Sequence, residues 1–210
     1  MNSLSRTTAL LRAGPGHSVA ARRPYGERVT EEDRVRWDAW HSAEGGSSGP
    51  KDPGPPAVFA PYEDLFPREG FGLDLACGRG MSSVWLASRG VEVCGVDVSA
   101  VALDRARQLA ARVGVSRHCQ FQLADLDRGL PSSPPAAVVL CHLFRDRRLY
   151  RPIVERLRVG GLVAIAVLSE VGAEPGPFRA GAGELRAAFA ALSVIAEGET
   201  EGRAWLLARK

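Results

Sequence analysis

The chain has 210 residues, 45% of them hydrophobic, which is enough for one sizeable core and too few for two full domains. Its formal charge is +3, but Arg6, Arg12, Arg22 and Arg23 supply +4 within an acid-free first 26 residues, leaving −1 on residues 27–210. The body therefore lacks the positive footprint of a nucleic-acid binder. Cys77, Cys94, Cys119 and Cys141 form no C-x-x-C pair, so they are expected as free thiols in a reducing compartment. The longest apolar stretch, "LVAIAVL" at 162–168, is too short to cross a bilayer as a helix. A soluble, cytoplasmic protein without a membrane partner is expected.

Residues 1–29 carry Gly, Ser, Arg and Pro with no sustained period and predict a disordered arm. An Arg-rich, acid-free start also has the composition of a mitochondrial transit peptide, the alternative localisation. A single domain is expected over 30–210. It opens with "TEEDRVRWDAWHS", where Thr30 and Asp33 have capping-box spacing and acids fill the first turn, so a short helix is predicted over about 31–41. The Gly/Ser/Pro-rich stretch at 44–56 predicts a flexible loop, and "AVFAPYEDLFP" a brief amphipathic piece.

From Phe71 strands alternate with helices. "FGLDLA" precedes a helix over about 80–89, "VEVCGV" follows at 91–96, and a helix over about 100–113 has Ser99 as its N-cap and Ala102, Ala106, Leu109, Ala110 and Val113 on one face. Further strands are predicted at 118–123, 136–141 and 161–168. Between the last two, Pro152 suits the first turn of a helix carrying Ile153 and Leu157 and stopping at Gly160 and Gly161. A final helix near 183–191 precedes "LSVIAEG" and "GRAWLLAR", which can pair as an antiparallel hairpin across "ETEG". Strands apolar throughout, alternating with helices, require a doubly wound α/β arrangement with a mostly parallel sheet.

Ligands of such sheets bind where the strand order reverses, at the C-terminal ends of the strands. Gly78 and Gly80 in "LDLACGRG" occupy the first strand-to-helix turn, where glycine lets a ligand approach the backbone and free N–H groups attract an anion. Seventeen residues past Gly80, at the end of the second strand, Asp97 has the position of a ribose-binding carboxylate. Asp97 is equally placed to cap the following helix, in competition with Ser99. A dinucleotide fingerprint fits poorly, because Ser83 stands where the third glycine of G-x-G-x-x-G would fall.

"LDLACGRG" resembles the acidic-x-Gly-x-Gly-x-Gly motif of class I S-adenosylmethionine-dependent methyltransferases, "VCGVDVS" their second motif and "QLADLD" their third. The likeness spans roughly 31–210 and is nearest the small, tellurite-resistance-type enzymes that act on small molecules. It implies a seven-stranded, Rossmann-like sheet with an antiparallel C-terminal strand, and S-adenosyl-L-methionine as cofactor. By the same resemblance, Asp74 organises the loop and the methionine amino end, and Ala76, Gly78 and Gly80 line the methionine moiety, Ala76 replacing the usual glycine. Asp97 holds the ribose, Val98 lies against the adenine, Asp125 bonds its amino group and Leu126 packs beside it.

The fourth motif reads "VVLCHLFRDRRLY" and lacks the Asn/Asp-Pro-Pro-aromatic sequence of enzymes that methylate nucleic-acid amines. Here His142 is the candidate catalytic residue, able to orient or deprotonate an acceptor, against packing beside the cofactor. "RWDAWHS" resembles the Trp-Asp-x-Arg-Tyr helix covering the cofactor in the small enzymes, which makes Trp37 a candidate lid residue, against a core anchor. Phe178 and Arg179 lie in a long loop of the kind that shapes acceptor pockets. The resulting expectation is methyl transfer to a small-molecule acceptor by in-line displacement, without a metal or nucleic-acid partner, in a monomer or homodimer. The alternatives are an NAD-dependent oxidoreductase and a non-catalytic module that binds the same cofactor.

Overall fold

A computed structural model describes residues 35, 37–39, 42, 52–176 and 178–210. The expected arm over 1–29 and most of the loop at 44–56 lie outside the described residues. Val35, Trp37, Asp38, Ala39 and Ser42 are helical, as the capping-box spacing predicts, and Ala57–Leu65 forms a 3₁₀ segment.

The seven strands are β1 (Phe71–Leu75), β2 (Glu92–Asp97), β3 (Cys119–Leu123), β4 (Ala136–His142), β5 (Leu157–Leu168), β6 (Ser193–Thr200) and β7 (Arg203–Arg209). They make one sheet in the order β3-β2-β1-β4-β5-β7-β6, parallel except for β7, which runs antiparallel to both neighbours. The helices are α1 (Met81–Ser88), α2 (Ala100–Val113), α3 (Tyr150–Arg156) and α4 (Glu184–Ala188). β1 and β4 sit in the middle, covered on both faces, which is why their residues are almost all buried.

Alternation along the strands divides the core. Leu73, Leu75, Val139, Cys141, Val163 and Ile165 face α3 and α4, whereas Val138, Leu140, Leu162 and Ala164 face the layer of Phe59, Phe66, Trp85 and Leu86. Ring contacts tie that second layer together: Phe66 meets Trp85 edge-on at 5.0 Å and Phe59 meets Trp205 at 6.0 Å. Asp74 pairs in register with Gly95 on β2 and Leu140 on β4, so its side chain shares the face of α1 rather than that of α3.

Three expectations about elements need correction. The helix begun before Pro152 ends at Arg156, and Leu157 already belongs to β5, paired with Ala136. The apolar spacing of Ile153 and Leu157 suits a helix, but the sheet takes Leu157, and the register shift between Ala136 and Val138 accommodates Gly160 and Gly161 inside the strand. At Gly161 a Cβ would lie 2.7 Å from the Ala136 carbonyl, so only glycine fits there. Val113 is 39% exposed rather than part of the buried face, because α2 ends at Gly114 in a left-handed cap. The last helix covers Glu184–Ala188 only, although Leu192 beyond it is still buried.

The hairpin across "ETEG" forms as expected, its tip being Glu201 (φ 49°) and Gly202 (φ 74°). Two consecutive positive φ values match the right-handed twist of the flanking strands.

Candidate active site at the C-terminal ends of the central strands

The loop between β1 and α1 is shaped by two carboxylates. Asp74, 2% exposed, accepts a hydrogen bond from the Ser83 hydroxyl at 2.5 Å. Burial, reinforced by the nearby negative charge of Asp97, pushes the Asp74 carboxyl up to about 7 despite the bond from Ser83. Such a group is half ready to ionise at neutral pH and would do so fully beside a cation.

Asp97 lies at the end of β2. Its Oδ2 accepts the Gly78 N–H at 2.8 Å and its Oδ1 the Ser99 N–H at 2.9 Å. One side chain thus joins the glycine loop to the start of α2. Each oxygen keeps a lone pair for a further donor. The competition for the α2 cap is also resolved: Ser99 Oγ accepts the Ala102 N–H at 3.1 Å, while Asp97 takes the N–H of Ser99 itself.

The two motif glycines serve different physical needs. Gly78 has φ 52° and presents its N–H to Asp97. Gly80, at φ 75°, is buried, and a Cβ there would meet the Ala106 methyl at 2.7 Å and the Phe121 ring at 3.2 Å. The absence of a side chain at Gly80 therefore allows α1, α2 and β3 to pack together, whatever approaches from outside. Ala76, standing where the motif it resembles has glycine, is itself left-handed at φ 52°, a conformation that costs a non-glycine residue roughly 1–2 kcal/mol.

Asp125 ends the segment after β3 and is fixed by accepting the Asp127 N–H at 2.9 Å, while Leu126 is buried in the core and Val98 is half-buried beside Asp97. The second strand, the glycine loop and the third loop thus converge at one edge, linked also by the Ala124 N–H, which donates to the Asp97 carbonyl at 3.0 Å. Trp37 is 43% exposed, so it is no core anchor. Its neighbour Asp38 accepts a hydrogen bond from the Ser99 hydroxyl, and Arg105 reaches the Ser42 carbonyl at 3.4 Å, so this segment lies over the start of α2.

His142 is the last residue of β4 and is half-buried. Burial, then the positive charge of Arg203, holds its imidazole below the ordinary 6.5. The next residue, Leu143, is left-handed at φ 60° and 50% exposed, its N–H bonded to the Ala166 carbonyl at 2.7 Å. Phe178, in the loop after β5, is 64% exposed. Arg179 in the same loop instead turns back onto the Ser169 and Gly202 carbonyls at 2.7 and 3.1 Å.

Three contributors escaped the sequence reading. Ser83, whose signal was a small polar residue at the third-glycine position, secures Asp74. The other two have no local signal: Arg145 binds Glu184 through two hydrogen bonds of 2.7 and 2.6 Å, joined by the Tyr150 hydroxyl at 2.8 Å, and Arg148 bridges Asp127 and Asp146. Burial pushes the Glu184 carboxyl up, but Arg145 and Tyr150 outweigh it and hold it below its usual range. Among the described residues no group of His, Cys, Asp and Glu could hold a metal ion, and no helix is long and apolar enough to cross a membrane.

Comparison with known proteins agrees with this geometry. Residues 73–161, which run from within β1 through β4 into the first residues of β5, match the family model described as a methyltransferase domain. YqeM of Bacillus subtilis (strain 168) is 32% identical over 98 residues, covering 46% of this chain and 38% of its own length. The tRNA 5-carboxymethoxyuridine methyltransferase of Escherichia coli (strain K12) is 31% identical over 99 residues, covering 44% of this chain and 38% of its own. The chain thus spans well under half the length of these curated relatives. Among solved structures, TehB from Haemophilus influenzae superposes with a TM-score of 0.66 at 16% identity, covering 83% of this chain and 67% of that one, which shows a shared fold. The seven-stranded sheet in this order, with Asp74, Gly78 and Asp97 beside the C-terminal ends of its strands, thus carries over residues 73–161 a segment similar to the methyltransferase domain.

Proposed function

We propose that the chain transfers a methyl group from S-adenosyl-L-methionine to a small-molecule acceptor. The observation that carries this reading is the Asp97 carboxylate, held rigid by two backbone N–H groups while retaining acceptor capacity at the end of β2. Ribose hydroxyls are donors that such a carboxylate can take. The buried Asp74 suits the ammonium of the methionine end, because a cation would offset the cost of ionising it in place. Gly78 and Ala76 line the same end, with Gly80 supporting them from below. Val98, Leu126 and Asp125 receive the adenine, the carboxylate of Asp125 serving its amino group, and Trp37 covers the site from the helical segment above α2.

The cofactor supplies an activated methyl on a sulfonium with a neutral leaving group. The protein's task is therefore alignment and exclusion of water, and positioning of this kind is worth roughly 7–11 kcal/mol in favourable cases. His142, held neutral near pH 7, is placed to accept a proton from the acceptor or to orient it. The charge of −1 on residues 27–210 favours a small acceptor over a polyanion. The tRNA relative named above makes RNA the acceptor to test against, by a gel shift across a salt series.

The deciding experiment is calorimetry with S-adenosylmethionine and S-adenosylhomocysteine on folded protein, accompanied by NADH as a control. Binding of both sulfur nucleosides without NADH is the expected result. Binding of NADH alone transfers the site to an oxidoreductase, and binding of the nucleosides with no transfer to any acceptor tried leaves a binding module.

A further inference from the structure

The loops after β3 and β4 are joined by one guanidinium. Arg148 Nη2 donates to Asp127 at 2.5 Å and to Asp146 at 2.6 Å, and its Nε donates to Asp146 at 2.9 Å. Both carboxylates are nearly buried, at 6% and 11% exposure, while the arginine side chain is 47% exposed, so the cation lies like a strap over two anions set into the protein surface. The two anions occupy defined places. Asp146 accepts the N–H of Arg148 at 2.9 Å and starts the 3₁₀ turn Arg147–Leu149, four residues beyond His142. Asp127 gives its own N–H to Asp125 Oδ1 at 2.9 Å. A chain of contacts therefore runs from Arg148 through Asp127 to the carboxylate that faces the nucleoside edge. Removing the cation would leave two carboxylates close together and poorly hydrated, and their repulsion would push the loops apart.

We propose that Arg148 is a positioning residue for nucleobase selection: by holding Asp127 it fixes the rotamer of Asp125, and so sets the preference for a base that carries an amino group at that point. This rests on the reading of the site as a sulfur-nucleoside site. It gives Arg148 a role exerted through Asp127 and Asp125.

The test compares the binding of S-adenosylhomocysteine with that of S-inosylhomocysteine, which has a carbonyl in place of the exocyclic amine, by calorimetry on the full chain. Wild-type protein should prefer the adenosyl compound by about tenfold or more, as expected for one hydrogen bond to a charged group. Arg148→Ala should reduce that preference at least several-fold, with Arg148→Lys restoring part of it, since lysine keeps the charge but not the fork. Asp127→Asn provides a second route to the same loss, with little change in side-chain size, should the alanine variant fold poorly. Equal weakening of both ligands, with the preference intact, would mark Arg148 as merely structural and overturn the proposal, as would an unchanged preference in Asp127→Asn. Failure of wild-type protein to bind either compound would instead overturn the sulfur-nucleoside reading itself.

Discussion

The Asp97 carboxylate and the Gly78 N–H are 2.8 Å apart, although 19 positions separate the two residues in the chain. The contact makes the shape of the glycine loop depend on the acid that is proposed to hold the ribose. Asp97→Ala is therefore expected to weaken S-adenosylhomocysteine binding by about 1–3 kcal/mol, the range for losing a charged acceptor. Asp97→Asn should fall between wild type and alanine, because it retains one oxygen for either Gly78 or Ser99 but not both. Calorimetric affinities of the three proteins check this, and equal affinities would contradict the ribose assignment.

Asp74 makes stability and binding depend on pH. Its folded-state value of about 7 lies above the ordinary 3.8, so between those limits the folded protein holds a proton that the unfolded chain has released. The stabilisation from this group is complete below pH 3.8 and is lost as the pH rises through about 7. Asp74→Asn should remove that slope from the urea midpoints measured across the window. An ammonium arriving beside Asp74 should expel the proton, so the heat of binding S-adenosylhomocysteine near pH 7 should vary with the ionisation enthalpy of the buffer.

Much of this architecture was legible in advance because the strands announce themselves. β4 over 136–141 and β5 over 162–168 are apolar on both faces, β1 is so except for Asp74, and Ser99 and Gly114 bracket α2 with a side-chain cap and a left-handed stop. Gly78 and Asp97 were readable for the same reason: they follow directly from strand ends. Contacts between elements were not. Arg145 and Glu184 stand 39 residues apart, Arg148 and Asp127 stand 21 apart, and in a chain with 25 arginines no single one stands out. The meaning of Gly80 was hidden too, since its neighbours Ala106 and Phe121 reach it only through the tertiary fold.

Ala76 offers a stability gain. A left-handed alanine is strained by roughly 1–2 kcal/mol, and glycine, which is free of that strain, costs about 0.5–1 kcal/mol more in chain entropy. Ala76→Gly should therefore raise unfolding free energy by a few tenths to about 1 kcal/mol on this balance. Ala76→Val, which adds β-branching at φ 52°, should lower it. Urea unfolding of the pair decides.

The imidazole of His142 should titrate below 6.5 when followed by NMR, because burial and Arg203 both disfavour its charged form. Arg203→Gln removes the second cause and should move the midpoint upward while leaving it under the ordinary value. A midpoint that stays fixed would show that burial alone sets it.

Glu184 is 12% exposed and Arg145 6%, so deleting Glu184 takes two charge-assisted hydrogen bonds away from a nearly buried guanidinium. Glu184→Ala should cost about 3–5 kcal/mol, the range for breaking a buried ion pair. A double exchange of both residues for apolar ones should recover most of that loss, as thermal melts would show.

The β6–β7 hairpin holds more than its own edge of the sheet. Glu199 accepts the Ser169 hydroxyl and the Gly183 N–H, both at 2.8 Å, and Arg179 reaches across to the Gly202 carbonyl at the hairpin tip. A transient detachment of these two strands would therefore release the segment that follows β5, while β1, β2 and β3 kept every hydrogen bond they share. Amide exchange should accordingly be correlated between the hairpin and residues 169–176 and 178–183 and uncorrelated with the glycine turn: one side of the candidate site can breathe while the other remains closed.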